Sequence, residues 1–119
     1  MRVAVIDCGT NSVRLLIADM TVTDGEIELT DCVRTMEVVR LGEGVDSHGR
    51  VSAEALGRLA NALDGFAATI KRFQPEQTTF VATSATRDAA NAEEVHDVVR
   101  HHLGVEPRVI TGEEEARFS

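Results

Sequence analysis

Two apolar runs joined by a short polar stretch open the chain, and they constrain the fold more than any other feature. Val3-Ala4-Val5-Ile6 is continuous, Asp7-Cys8-Gly9-Thr10-Asn11-Ser12 follows, and Val13, Leu15, Leu16, Ile17 and Met20 make the second run. This pattern describes a buried strand, a tight turn and an antiparallel strand back. Gly9 permits a backbone conformation that other residues resist. Thr10, Asn11 and Ser12 bring a cluster of hydrogen-bond donors. Asp7 stands at the strand end, where a carboxylate holds a metal ion or orients a water. A turn of this kind cradles a phosphate. It serves equally well as a polar hairpin whose Asp and Asn satisfy their own backbone.

Further along, Thr23-Asp24-Gly25 predicts a hairpin into a third strand. That strand, Ile27 to Arg40, carries Ile27 and Leu29 in one phase and Val33, then Met36 and Val38, in another, so a bend or bulge is expected midway. Leu41 to Arg50 is glycine-rich and reads as a loop. Ser52 N-caps a helix from Ala53 to about Phe73, with Leu56, Leu59, Ala60, Leu63, Phe66, Ala67, Ile70 and Phe73 on one face and Pro75 at its end. Thr78 to Thr83 is a buried strand, followed by Ser84-Ala85-Thr86-Arg87-Asp88. Strand-end loops hold ligands in open α/β sheets, so Ser84, Thr86 and Arg87 suit an anion. An Arg87–Asp88 surface pair is the plain alternative.

Asn91 and Glu94 have capping-box spacing for a helix of Ala92 to Leu103, its inward face Val95, Val98, Val99 and Leu103 and its stop Gly104. His96, His101 and His102 lack a third ligand at metal-site spacing and are expected to be solvated. Val105 to Ile110 is a last strand, with Pro107 suiting an edge or an entry position. Thr111 and Glu114 again space as a capping box, which leaves Glu115 unexplained by capping.

A chain of 119 residues, 43% hydrophobic, suits one domain with a core built from aliphatic side chains, since it has four Phe and neither Trp nor Tyr. The net charge of −8 argues against a broad nucleic-acid or anionic-membrane surface, without excluding a small polyanion held locally. No stretch reads as a signal peptide or a membrane span, so a cytoplasmic protein with unpaired buried thiols at Cys8 and Cys32 is expected.

The element order, three antiparallel strands, helix, strand, helix, strand and the start of a helix, predicts an α/β lobe with a five-stranded mixed sheet. It matches one lobe of the ribonuclease-H-like fold of actin, sugar kinases and chaperone ATPases, an analogy of fold alone.

Four stretches together narrow this to a family. Ile6-Asp7-Cys8-Gly9-Thr10-Asn11-Ser12-Val13-Arg14-Leu15 resembles the opening motif of the exopolyphosphatase/guanosine pentaphosphate phosphohydrolase (Ppx/GppA) family. Leu41-Gly42-Glu43-Gly44-Val45 resembles its glycine loop, and the segments Ala82–Ala89 and Ile110–Arg117 resemble its next two motifs, in order. The resemblance implies hydrolysis of a terminal phosphoanhydride of inorganic polyphosphate or guanosine pentaphosphate, with Mg2+ or another divalent cation as cofactor. It implies that Glu115 is the general base, that Gly9, Thr10, Asn11, Ser12 and Arg87 bind phosphate, that Asp7 holds the metal and that Arg14 touches substrate further along. Family members carry a second lobe, so residues 1–119 are expected to be the N-terminal lobe, ending inside its last helix, of a parent that admits a homodimer. A phosphate-binding regulatory module without catalysis and a kinase of the same superfamily are the competing expectations.

Overall fold

The computed structural model describes residues 1–43, 45, 49–83, 89–110 and 113. The opening apolar runs form β1 (Arg2–Cys8) and β2 (Ser12–Thr23), antiparallel with Cys8 opposite Val13 and Asp7 opposite Arg14. β2 turns into β3 (Glu26–Val38) through Asp24 and Gly25, at φ 52° and 81°. Both central residues being left-handed marks the primed turn that matches strand twist, which is what Asp-Gly favours. The expected phase shift is a bulge. Ile17 faces Val33 while Ala18 faces Asp31, and Cys32 is the extra residue.

The third hairpin strand leads to α1 (Ala53–Phe73), whose predicted bounds hold. Ser52 Oγ accepts the Ala55 amide at 3.1 Å, and Gln74, left-handed at φ 50°, donates to the Ile70 carbonyl at 2.8 Å before Pro75. β4 (Gln77–Ala82) then lies parallel to β1, α2 (Ala92–Leu103) follows, and β5 (Pro107–Val109) lies parallel to β4. The sheet order is β3-β2-β1-β4-β5, a five-stranded mixed sheet. β5 is shorter than its apolar run predicts, and Pro107 opens it on the sheet edge. Lacking an N–H, proline is at home there. Glu113 is helical.

One face of the sheet carries the core. Ala4, Ile6 and Cys8, then Val13, Leu15 and Ile17, then Phe80 and Ala82 meet Leu59, Leu63 and Phe66 of α1 and Val95 and Val99 of α2. Strand residues of the opposite parity are less covered, and Val5, Asp7, Arg14 and Met36 among them are exposed.

Three sequence expectations need correction. Asn91 makes no side-chain capping bond. Its amide is buried and bridges to the loop before α1, Oδ1 accepting from the Val51 amide at 2.7 Å and Nδ2 donating to the Val51 carbonyl at 2.9 Å and to Glu94 Oε2 at 2.8 Å. A backbone segment with both groups to satisfy won the side chain from the helix start. His96 is not solvated: its side chain is 13% exposed, with Nδ1 at 3.2 Å from Glu93, while His102 reaches Asp64 of α1. Cys8 is buried as expected, but Cys32, displaced by the bulge, is half-buried with its thiol toward Asp19.

Candidate phosphate site

The β1–β2 turn spans Gly9 to Ser12, and its only cross-turn backbone bond among the described residues is Gly9 N–H to the Ser12 carbonyl at 3.0 Å. Thr10 and Asn11 are absent from the left-handed residues, in contrast with Asp24 and Gly25. A two-residue loop without positive φ splays its strands, so this turn needs support from outside itself.

That support comes from the segment after β3. The Val39 and Arg40 amides both donate to the Asn11 carbonyl at 2.9 Å, and the Gly42 amide donates to the Thr10 carbonyl at 2.9 Å. A Cβ at Gly42 would collide with Thr10 Cγ2, so a side chain there forces Thr10 or residue 42 itself to move. The turn's carbonyls are therefore drawn into the body of the protein. Asn11 remains exposed, and neither its side chain nor its amide makes a hydrogen bond among the described residues. The carbonyls of Thr10 and Asn11 are thus satisfied from inside while Asn11 stays exposed, a polarity that suits an anion.

Gly9 does not use its conformational freedom. It is not left-handed, and a Cβ would meet only ordinary contacts, Ser12 O at 3.7 Å and Thr83 Oγ1 at 3.9 Å. Backbone geometry does not call for glycine at this position. A glycine the fold does not need leaves room for close approach from outside.

Asp7 and Arg14 are cross-strand neighbours on the exposed sheet face, beside Val5, Leu16, Arg34 and Met36 around a shallow cavity of about 550 Å³. Neither makes an ion pair among the described residues. A single unpaired carboxylate at a strand end fits Mg2+, which takes one or two protein carboxylates and completes its shell with water and substrate phosphate. Among the described residues no group of three or more His, Cys, Asp or Glu gathers to make an all-protein site.

Arg87 and Glu115 lie outside the described residues, as do Ser84, Thr86, Asp88, Gly44, Thr111 and Glu114. The points where their segments leave the sheet are described. Thr83 is buried, its amide and its hydroxyl both donating to the Cys8 carbonyl at 3.1 Å and 3.0 Å, and the buried Ile110 amide donates to the Ala82 carbonyl at 3.1 Å. Both segments therefore start at the carboxyl ends of parallel strands, the first beside the end of β1 and the second one strand further along the same sheet end. Thr83 escaped sequence reasoning because it continues a β-branched strand run. The one available signal was its position directly before Ser84.

Residues 17–119 match the model of the Ppx/GppA phosphatase family. The chain is 44% identical to Exopolyphosphatase 2 of Mycobacterium tuberculosis, over 99% of its own length and 39% of that protein. It superposes on the crystal structure of the Aquifex aeolicus member of the Ppx/GppA family with TM-score 0.87 and 36% identity, covering 99% of this chain and 37% of that one. The crystal structure of an exopolyphosphatase-like protein gives TM-score 0.88 and 47% identity, covering 99% and 35%. The chain spans less than two fifths of the length of these relatives.

Proposed function

Because the chain belongs to the Ppx/GppA phosphatase family, we propose that the protein containing it releases orthophosphate from the end of inorganic polyphosphate, or from guanosine pentaphosphate. The observation that carries this reading is the β1–β2 turn, with its acceptors tied inward and Asn11 exposed at the sheet end where the parallel strands β4 and β5 also finish.

The reaction is attack of a water oxygen on the terminal phosphorus, breaking the bond to the bridging oxygen. The electron pair leaves on the shortened chain. Glu115 takes the water proton, a contribution of about 10²- to 10⁴-fold for a well-placed base. Thr10, Asn11 and Ser12 grip the terminal phosphate, and the amides after Gly9 add to them. Arg87 offsets charge on the transferring group, since phosphoryl transfer depends on positioning and charge neutralisation more than on covalent chemistry. Asp7 would hold Mg2+, which when bound screens the phosphate charge. Arg14 contacts substrate beyond the reacting phosphate.

The 119 residues form one wall of such a site, and the chain by itself is expected to show little phosphatase activity, because one wall does not exclude water. The test is orthophosphate release from polyphosphate and from guanosine pentaphosphate by the full-length protein and its Glu115→Gln variant. Turnover should fall at least about 100-fold with substrate binding retained. Near-normal turnover by Glu115→Gln removes Glu115 as the base. Saturable binding with no product from the wild-type protein would make it a regulatory module, and ATP-dependent phosphorylation of an acceptor would make it a kinase.

A further inference from the structure

The strained peptide that supports the β1–β2 turn is itself held, and the residue that holds it sits on a helix. Arg58, in α1, donates from Nε to the Val39 carbonyl at 2.8 Å and from Nη2 to the Arg40 carbonyl at 3.4 Å, with Glu43 Oε1 3.6 Å from Nη2. The amides of the same two residues converge on the Asn11 carbonyl. Aiming two successive amides at one oxygen puts Arg40 at φ 52°. A non-glycine residue in that region persists only where its surroundings over-determine it.

Resting on the reading of the turn as a phosphate loop, we propose that Arg58 is a positioning residue for that loop. Its guanidinium fixes the carbonyls of residues 39 and 40, and the amides of those residues fix the Asn11 carbonyl at the centre of the turn that meets the terminal phosphate. Arg58 touches no substrate. The chain of contacts runs from guanidinium to peptide to turn, and each link is a hydrogen bond. Arginine is required because the planar fork serves two carbonyls and a carboxylate at once. A lysine ammonium on its flexible stem reaches one of them.

Arg58 could instead be a mere tie between helix and strand, and the test separates the two. In the full-length protein, Arg58→Gln and Arg58→Lys are assayed for orthophosphate release from inorganic polyphosphate, with amide hydrogen exchange followed at Val39, Arg40 and Gly42. Arg2→Ala is the control, since it removes the ties from Arg2 to Asp19 and to the Phe73 carbonyl at the far end of β1. Arg58→Gln should lower kcat about 10- to 100-fold with KM changed less than about threefold, because a displaced loop loses the reacting geometry. Exchange at the three amides should speed up about tenfold or more, and Arg58→Lys should fall between Arg58→Gln and wild type. Arg2→Ala should lose stability and keep its kcat.

Unchanged kcat in Arg58→Gln overturns the proposal. So does wild-type kcat in Arg58→Lys, which would mean that charge alone suffices, and so does lost kcat with unaltered exchange. If Arg58→Gln fails to fold, Arg58→Lys supplies both readouts. If the wild-type protein releases no orthophosphate, the polyphosphate reading fails, and exchange alone then decides: faster exchange supports the clamp and unaltered exchange overturns it.

Discussion

Gly42→Ala puts a methyl group against Thr10 Cγ2, inside any possible contact distance, while Thr10 O and Cβ stay at 3.6 Å and 3.7 Å. The conflict is therefore with one methyl group, and two movements relieve it. Thr10 can rotate about χ1, which re-aims its hydroxyl, or residue 42 can lift away and stretch the 2.9 Å bond to the Thr10 carbonyl. Overpacking of this kind costs about 1–3 kcal/mol, with about 1 kcal/mol more if the hydrogen bond is lost. Either movement displaces a group proposed to grip phosphate by on the order of 1 Å, enough to cost roughly 100-fold in rate. Urea denaturation of the chain reads the first quantity and orthophosphate release by the full-length protein reads the second. Thr10→Ser removes the offending methyl and keeps the hydroxyl, so the double variant should recover most of both losses. The double-mutant cycle should show a coupling of about 1 kcal/mol or more. Wild-type behaviour of Gly42→Ala, or strictly additive losses in the double variant, would refute the account of how the turn is held.

Gly57→Ala and Gly65→Ala, both inside α1 where an added Cβ meets nothing within 4 Å, should each stabilise the chain by about 0.8–1 kcal/mol in urea denaturation. Asn91→Ala should cost about 2–4 kcal/mol, because it strands the buried Val51 amide and carbonyl, and Asn91→Asp should not rescue it, since a carboxylate cannot donate to the carbonyl. Asp19, beside the Arg2 guanidinium, and Glu93 and Glu106, around His96 and Arg100, have carboxyls held below their ordinary values. A depressed folded-state value means stability that is complete above the unfolded-state value, about 4, and lost as pH falls through the folded one. The urea midpoint should then hold from pH 7 to about 5 and fall below about 4, with a shallower fall in Asp19→Asn.

How legible this chain was depended on whether a residue's neighbours lay close in sequence. The bounds of α1 and α2, the Ser52 cap, the Gly104 stop and the Asp24–Gly25 turn all follow from contacts within about one helical turn or one hairpin. The bulge showed as a change of phase because both phases were written on one strand. Asn91 misled because its partner is Val51, forty residues away, and His96 because its burial depends on how α2 lies on the sheet. Ile27 and Leu29 alternate as a strand with a buried face would, yet they are 65% and 60% exposed, since the β2–β3 ribbon runs past the helices.

The candidate site divides in the same way. Sequence alone selects Asp7 and Gly9 to Ser12, because strand, turn and strand are contiguous and their donors are visible as residue types. It selects Gly42 only as one glycine of a loop. Tertiary structure turns that glycine into a packing requirement against Thr10, points the turn's carbonyls inward, and brings Thr83 beside the end of β1 and Ile110 beside the end of β4. It also makes Arg58, a polar residue of the amphipathic α1, the tie to the strained peptide behind the turn. Side-chain period is a local property and can be read along the chain. Which carbonyl an arginine or an amide reaches depends on elements that meet only once the sheet has closed its crossovers.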